Sequence, residues 1–213
     1  MKDCKNLILV GGGGHCKSVI DVAEALGYNI LGILDHKEKV GTKVLDHEVV
    51  GTDEDIPRYV GKALFVITVG QIKNNEVRRH VAKLIDEAGG RYATLVASDA
   101  YVSKHAYIGE GSVVMHKAIV NADSHIGKNC IINTMANIEH DVVIGDFCHI
   151  STGCMINGDT HIGNNVFVGS NSEIHNCKKI VDDVILAAGS VVYKDIEKPG
   201  VYSSDNLVRF FHS

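Results

Sequence analysis

The sequence predicts a small parallel α/β unit followed by a β-solenoid, and three observations carry that expectation. From Val96 to Val192 an aliphatic residue stands at every sixth position without a miss: Val96, Val102, Ile108, Val114, Val120, Ile126, Ile132, Ile138, Ile144, Ile150, Ile156, Ile162, Val168, Ile174, Ile180, Leu186 and Val192. Four residues after most of them comes a small one, as at Ala100, Ala106, Ser112, Ala118, Ser124, Cys130, Ala136, Cys148, Cys154, Ser172 and Ser190. Before residue 95 the pattern changes to short apolar runs alternating with segments of helical spacing.

A period of six fits neither an amphipathic helix nor an alternating strand. It fits a solenoid in which each hexapeptide forms one flat side and the branched residue fills a narrow core, with three sides to a coil of eighteen residues. Glycine follows the aliphatic at Gly109, Gly127, Gly145, Gly163 and Gly169, where corners are expected to need unusual backbone angles.

In the first part, Asn6 to Val10 reads as a buried strand running into Gly11-Gly12-Gly13-Gly14, and Ser18 to Leu26 has helical spacing that stops at Gly27. Ile30 to Leu34 and Ala63 to Val69 read as further strands, and Asn75 to Ala88 as a helix ending in Gly89-Gly90. The alternation is that of a parallel α/β unit. The expected division is residues 1–95, the solenoid 96–197 and a tail 198–213.

The 213 residues carry a net charge of -5 and no basic run, which argues against nucleic acid or an acidic membrane surface as partner. No stretch reaches membrane-spanning length, and the apolar run Leu7 to Val10 is too short for a signal peptide, so a cytoplasmic location is expected. Of six cysteines, Cys130, Cys148 and Cys154 fall on the small inward position, where a reduced thiol behaves as a small hydrophobe, and no CxxC pair occurs. Neither disulfides nor a metal site is expected.

A glycine loop between strand and helix, with Asp35 closing the second strand, has the logic of nucleotide binding. Glycines admit the ligand to the backbone, the helix N-terminus favours an anion, and the acid can accept from a ribose hydroxyl. Cys16 stands where GxGxxG needs its third glycine, which disfavours a dinucleotide hydride carrier. The alternative is a tight strand-to-helix turn with no ligand.

Taken together, Gly11-Gly-Gly-Gly-His15-Cys-Lys17, Asp35, Val69-Gly70, and a hexapeptide solenoid carrying Asn133, Ile138-Glu-His-Asp141 and His149 resemble the bacterial sialic-acid O-acetyltransferase and nucleotide-aminosugar N-acetyltransferase group. The resemblance covers nearly the whole chain. It implies a Rossmann-like N-terminal domain, a left-handed parallel β-helix, a homotrimer, and acetyl-CoA held between adjacent subunits.

Moving an acetyl group from a thioester needs a base for the acceptor, a donor for the oxyanion and a grip on the pantetheine arm. His140, at an outward position, is expected to be the base, with Asp141 favouring its imidazolium. The family more often has Glu at that position, and Asp is a methylene shorter. His125 and His161 are expected to be solvated corners, and His105, His116 and His175 lack an acidic sequence neighbour. His149 lies half a coil from His140, so within one subunit the two should face different sides; if both serve one reaction they most simply meet across a subunit interface, which argues for a cyclic oligomer.

By resemblance His149 contacts the acetyl-CoA end, and Gly158, Ser170 and Ala188 line the CoA groove. Asn133 orients His140 or the acceptor, or is a plain corner asparagine. Resemblance assigns the nucleotide or sugar to Gly12, Gly13, Gly14, His15, Lys17, Asp35 and Gly70, with Lys17 either neutralising a phosphate or merely solvated. The chain departs from the family in three places: His36 replaces a second acid, Ile174 to Lys179 replaces a Leu-Pro-Gly turn, and Lys198 to Asn206 with Phe210-Phe211 replaces a Gly-x-Pro-Ala ending.

The expected function is acetyl-CoA-dependent N-acetylation of a nucleotide-linked 4-amino-6-deoxysugar in bacterial surface glycan synthesis, with the base (UDP, dTDP or GDP) open. The alternatives are O-acetylation of a sialic acid or other sugar, and a non-catalytic trimeric scaffold for a biosynthetic enzyme.

Overall fold

A computed structural model of the chain describes residues 5–71 and 75–203. The first part comprises β1 (Asn6–Val10), α1 (Gly14–Ala25), β2 (Asn29–Leu34), β3 (Lys43–Val44), β4 (His47–Gly51), α2 (Ile56–Tyr59), β5 (Leu64–Ile67) and α3 (Glu76–Glu87). The sheet runs in the order β3-β4-β2-β1-β5 and is parallel except for the β3–β4 hairpin. Sequence patterning misses that hairpin, whose two strands are short and interleaved with charged residues. Along β1, Leu7 and Leu9 pack toward α1 while Ile8 and Val10 pack toward α3. A central strand covered on both faces therefore reads as a continuous apolar run. Helix α1 starts at Gly14, earlier than the apolar spacing suggests, with Gly13 as its extended N-cap.

From Leu95 onward the chain coils into three parallel sheets. The first face runs from Leu95–Val96 through Ile131–Ile132, His149–Ile150 and Phe167–Val168 to Gly200–Tyr202; the second runs from Tyr101–Val102 through Asn137–Ile138 to Val191–Val192; the third runs from Tyr107–Ile108 through Val143–Ile144 to Lys179–Ile180. Pairings such as Ile119↔Asn137 and Val120↔Ile138 give eighteen residues per coil. The aliphatic series points inward and is buried from Val114 on, while Val96, Val102 and Ile108 at the open end are partly covered. Cys130, Cys148 and Cys154 lie in this core as free thiols, and burial pushes Cys154 up to about 11.

The corners correct one sequence expectation. The left-handed backbone recurs every six residues at Lys117, Asp123, Asn129, Met135, Asp141, Phe147, Asp159, Asn165, Asn171, Cys177 and Asp183, with Gly111, Gly153 and Gly189 completing the series. Asn, Asp and Gly predominate because they tolerate this region best. Gly109, Gly127, Gly145, Gly163 and Gly169 do not have positive φ. They are glycine because coils stack too closely for a side chain. A Cβ on Gly127 would lie 2.5 Å from Asp146 Oδ1, and one on Gly145 would lie 2.6 Å from Asn164 Oδ1. Those oxygens accept from the backbone of the preceding coil, Lys128 N at 2.7 Å and Asp146 N at 2.8 Å, and Asp182 continues the ladder to Asn164 N at 2.7 Å.

The α/β unit rides on the first face. Leu95, Ala97, Val113 and Met115 share a core with α1, and Phe147 packs into the core of α3. The second and third faces keep exposed apolar side chains, among them Tyr101, Ile119 and Met155 on the second and Tyr107 and Val143 on the third.

Candidate active site

The glycine loop is fastened from below. Gly11 has φ +109° and sits so close to Val69 that a Cβ would lie 2.5 Å from its side chain. Asp35 accepts from Gly12 N at 2.7 Å, His36 N at 2.7 Å and Lys39 Nζ at 2.8 Å. Burial works to raise its pKa, and the Lys39, His36 and Gly12 hydrogen bonds outweigh it, leaving the carboxyl below its ordinary value. The carboxylate expected to meet a ribose is thus first the tether of the loop. At Gly13 and Gly14 no other group lies within 4 Å of a built Cβ, so the loop opens onto free space. Gly70 and Lys17 are exposed beside it. A cavity of about 440 Å³ opens at the carboxyl ends of β1 and β2, between Gly11, Asp35, Asp53 and Val69, the usual ligand position in an open α/β sheet.

His15 turns inward from the loop. Burial pushes its pKa down to about 3, with the charges of Arg78 and His149 adding to the effect, and its Nε2 meets no protein partner. His149 is also buried, which lowers it to about 4. Its Nδ1 lies 2.8 Å from the carbonyl oxygen of Gln71. A carbonyl only accepts, so Nδ1 carries the proton and Nε2 the lone pair. Asn133 Nδ2 donates to that lone pair at 3.1 Å, and Asn133 Oδ1 accepts from Thr134 N at 2.8 Å. Asn133 therefore orients with His149, and the expectation that it orients His140 fails within one chain.

His140 stands exposed at the corner after the second face. Asp141 occupies the left-handed corner position, φ 61°, and its Oδ2 lies 2.7 Å from His140 Nδ1. The shorter acid reaches. That hydrogen bond holds the His140 pKa above the ordinary imidazole value, with Glu139 and Asp159 contributing charge. Nε2 makes no hydrogen bond among the described residues. The ring lies over Gly158, one coil on, where a Cβ would sit 2.8 Å from Cε1 and 2.9 Å from Nε2.

Ser170 and Ala188 stack one coil apart at a different corner, the one after the first face, with Ser170 Oγ 2.9 Å from Ser151 Oγ. The expected site residues thus form two groups. His140, Asp141 and Gly158 share one corner, while Asn133, His149, Ser170 and Ala188 lie along the first face and its corner, with the glycine loop beyond. Among the described residues no hydrogen bond or ion pair joins the groups.

The remaining histidines differ from expectation in detail. His125 and His161 are exposed but lie on strands of the third face rather than at corners. His116 pairs with Asp99 at 2.7 Å and His175 with Glu173 at 3.5 Å, acids that adjacent sequence positions do not supply. His140 differs from them in standing over a glycine. The departing segment Ile174 to Lys179 forms an ordinary corner between faces, with Cys177 exposed. Residues 204–213, including Phe210-Phe211, lie outside the described residues.

Comparison with known proteins places this geometry. The PglD N-terminal domain model matches residues 6–85, and the bacterial transferase hexapeptide (six repeats) model matches 123–158 and 141–176. The acetyltransferase domain of PglB from Neisseria gonorrhoeae is 30% identical, with a TM-score of 0.88 over 97% of this chain and 100% of that one. The chain belongs to the left-handed β-helix sugar acetyltransferases. PerB from Caulobacter crescentus, solved with CoA and GDP-perosamine, is a second such structure, 30% identical with a TM-score of 0.86 over 93% of each chain. The UDP-N-acetylbacillosamine N-acetyltransferase of Bacillus subtilis is 34% identical over 114 residues, 52% of this chain; the match spans about half, 51%, of that curated relative. The hexapeptide part of this sugar acetyltransferase is thus a left-handed parallel β-helix, and its first part is the α/β domain of that family.

Sequence reasoning missed Gln71, Asn75, Arg78 and Asp53. Arg78 left a signal, because it occupies the same helical stripe as Val81, Ala82 and Ile85. Gln71 acts through its backbone carbonyl, which no side-chain pattern announces. Asp53 lines the cavity with its pKa raised by burial.

Gly158→Ala is expected to displace the His140 ring and cut acetyl transfer by about 10²-fold, as an ångström-scale misplacement does. Steady-state rates beside far-ultraviolet circular dichroism check it: a folded variant with the parent rate contradicts the placement.

Proposed function

We propose that the protein is an acetyl-CoA-dependent N-acetyltransferase acting on a nucleotide-linked 4-amino-6-deoxysugar, in the cytoplasm, as a homotrimer serving bacterial surface glycan synthesis. The observation that carries the reading is the His140–Asp141 pair, 2.7 Å apart and exposed over Gly158, in a chain whose relatives act on nucleotide aminosugars. The acetyltransferase domain of PglB has been solved with acetyl coenzyme A bound. No helix among the described residues is long and apolar enough to cross a membrane.

In the proposed reaction the sugar amine attacks the thioester carbonyl. His140 Nε2 takes the proton released from the attacking nitrogen, and Asp141 stabilises the imidazolium that results. The tetrahedral intermediate then expels the CoA thiolate, which takes the proton back from the His140 imidazolium, and leaves the amide. The nucleotide occupies the cavity between Gly11, Asp35, Asp53 and Val69 and the open space at Gly13 and Gly14, and small residues at Gly158, Ser170 and Ala188 let the CoA arm lie close to the backbone. Because His140 shares a corner with Gly158 while His149, Ser170 and Ala188 lie along the first face, each site takes one group from each of two neighbouring subunits.

Thiol release from acetyl-CoA against UDP-, dTDP- and GDP-linked 4-amino-6-deoxysugars and free sialic acid tests the reading. Turnover of one nucleotide aminosugar that collapses in His140→Ala is expected. Turnover of sialic acid alone, or of none with a folded protein, overturns it.

The pH profile follows from the raised His140 pKa. The base must be unprotonated, so the rate should rise as pH climbs through a value above that of an ordinary imidazole. Asp141→Asn removes the carboxylate that favours the charged ring, so its rising limb should move to lower pH with a lower plateau. Rate profiles of the two proteins with the same acceptor check this, since the acceptor's own titration is common to both; coincident limbs would exclude Asp141 from the base.

A further inference from the structure

Helix α3 lies along one corner of the solenoid, the column Asn129, Phe147 and Asn165, in which each residue follows the last by one coil. Phe147 packs into the α3 core, and polar contacts flank it. Asn75 Nδ2 donates to Asn165 Oδ1 at 2.6 Å. Arg78 is 1% exposed. Its Nη1 donates to the carbonyl oxygens of Ile67 at 3.1 Å and Val69 at 2.5 Å, and its Nη2 to that of Asn129 at 2.8 Å. No carboxylate among the described residues forms an ion pair with it.

Apolar packing does not account for such a residue. Burying a cation without a counter-charge is costly, and an apolar side chain of similar volume would fill this stripe without that cost, at the loss of a donor to three backbone carbonyls. The cost is visible in the Arg78 pKa, which burial lowers to about 10. What the guanidinium does is bridge two parts of the molecule with a rigid fork of donors. One end holds Ile67, the last residue of β5, and Val69 just beyond it, and the other holds a solenoid corner. Two residues after Val69 comes Gln71, whose carbonyl receives the Nδ1 proton of His149.

We propose that Arg78 is a positioning residue of the transfer site: by tying the end of β5 to the corner at Asn129, it sets the Gln71 carbonyl against His149 and keeps Nε2 of His149 the lone-pair nitrogen facing Asn133. The assignment rests on the acetyltransferase reading for its kinetic consequence but not for its structural one. The charge acts in the same sense as the geometry. The titratable groups that face His149 are His15 from α1 and Arg78 from α3, and the guanidinium opposes protonation of both rings.

The test uses the full chain with Arg78→Met and Arg78→Lys. Nitrogen-15 imidazole spectra, with the His149 signals assigned by their loss in His149→Gln, read the tautomer without any substrate, and kcat and KM are measured with acetyl-CoA and the turned-over sugar. The wild type should show His149 protonated at Nδ1 alone. Arg78→Met should show tautomer exchange and a kcat lower by about 10²-fold. Arg78→Lys keeps the charge but cannot fork across both anchors, so it should recover only part of the rate and of the Nδ1 population. If Arg78→Met does not fold, Arg78→Lys decides on the same readouts. A folded variant that loses activity with the His149 tautomer unchanged reduces Arg78 to a packing role and overturns the proposal, as does one with wild-type tautomer and rate. Should no sugar be turned over at all, the spectra alone still decide.

Discussion

Eighteen residues per coil is the constraint on which the rest of the structure depends. It sets every residue above its counterpart one coil away, with backbone hydrogen bonds joining them and no room for a side chain at the stacked glycines. The same stacking that forces Gly127 and Gly145 to lack a Cβ puts Gly158 beneath the ring of His140. It also aligns Asn129, Phe147 and Asn165 into a track for α3. A solenoid of this kind gains its stability from contacts between neighbouring coils, so side chains exposed at the corners are free to take on chemistry without weakening the core.

The α/β unit uses that track to create two electrostatic environments. Where it covers the first face, His15 and His149 are desolvated and sit beside a buried guanidinium, so both rings remain neutral near pH 7. At the uncovered corner His140 is wet and acid-paired, and its pKa moves the other way. A neutral imidazole that accepts at a fixed nitrogen suits orientation; one with raised basicity suits proton transfer. One fold thus gives opposite electrostatic surroundings to histidines nine residues apart, because half a coil separates a covered face from an open corner.

The solenoid is legible in the sequence because its period is that of the core itself: each inward aliphatic is a separate burial decision repeated at fixed register. The α/β order is legible in β1, whose two-sided burial leaves an unbroken apolar run, and illegible in β3 and β4, which are short and interleaved with charged residues. His140 and Asp141 stand out as neighbours in the chain, yet the pairs His116–Asp99 and Asn133–His149 arise between coils and have no adjacent signal. The stacked glycines are visible in the sequence, but their cause is not. Backbone freedom is the local explanation, whereas close stacking is a property of two coils at once. Arg78 lies in plain view as a cation on an apolar stripe, but its partners are backbone carbonyls that sequence cannot name.

The central claim is that each transfer site is built from two chains, with His140 from one and His149 from its neighbour. Mixing subunits tests it most directly. His140→Ala and His149→Ala chains, each purified and nearly inactive alone, are unfolded together in equal amounts, refolded and assayed for acetyl transfer. Random assembly should restore about a quarter of the sites, those that draw both intact histidines from different chains. Activity no greater than the sum of the two parents would contradict the claim and place both histidines in a site within one chain.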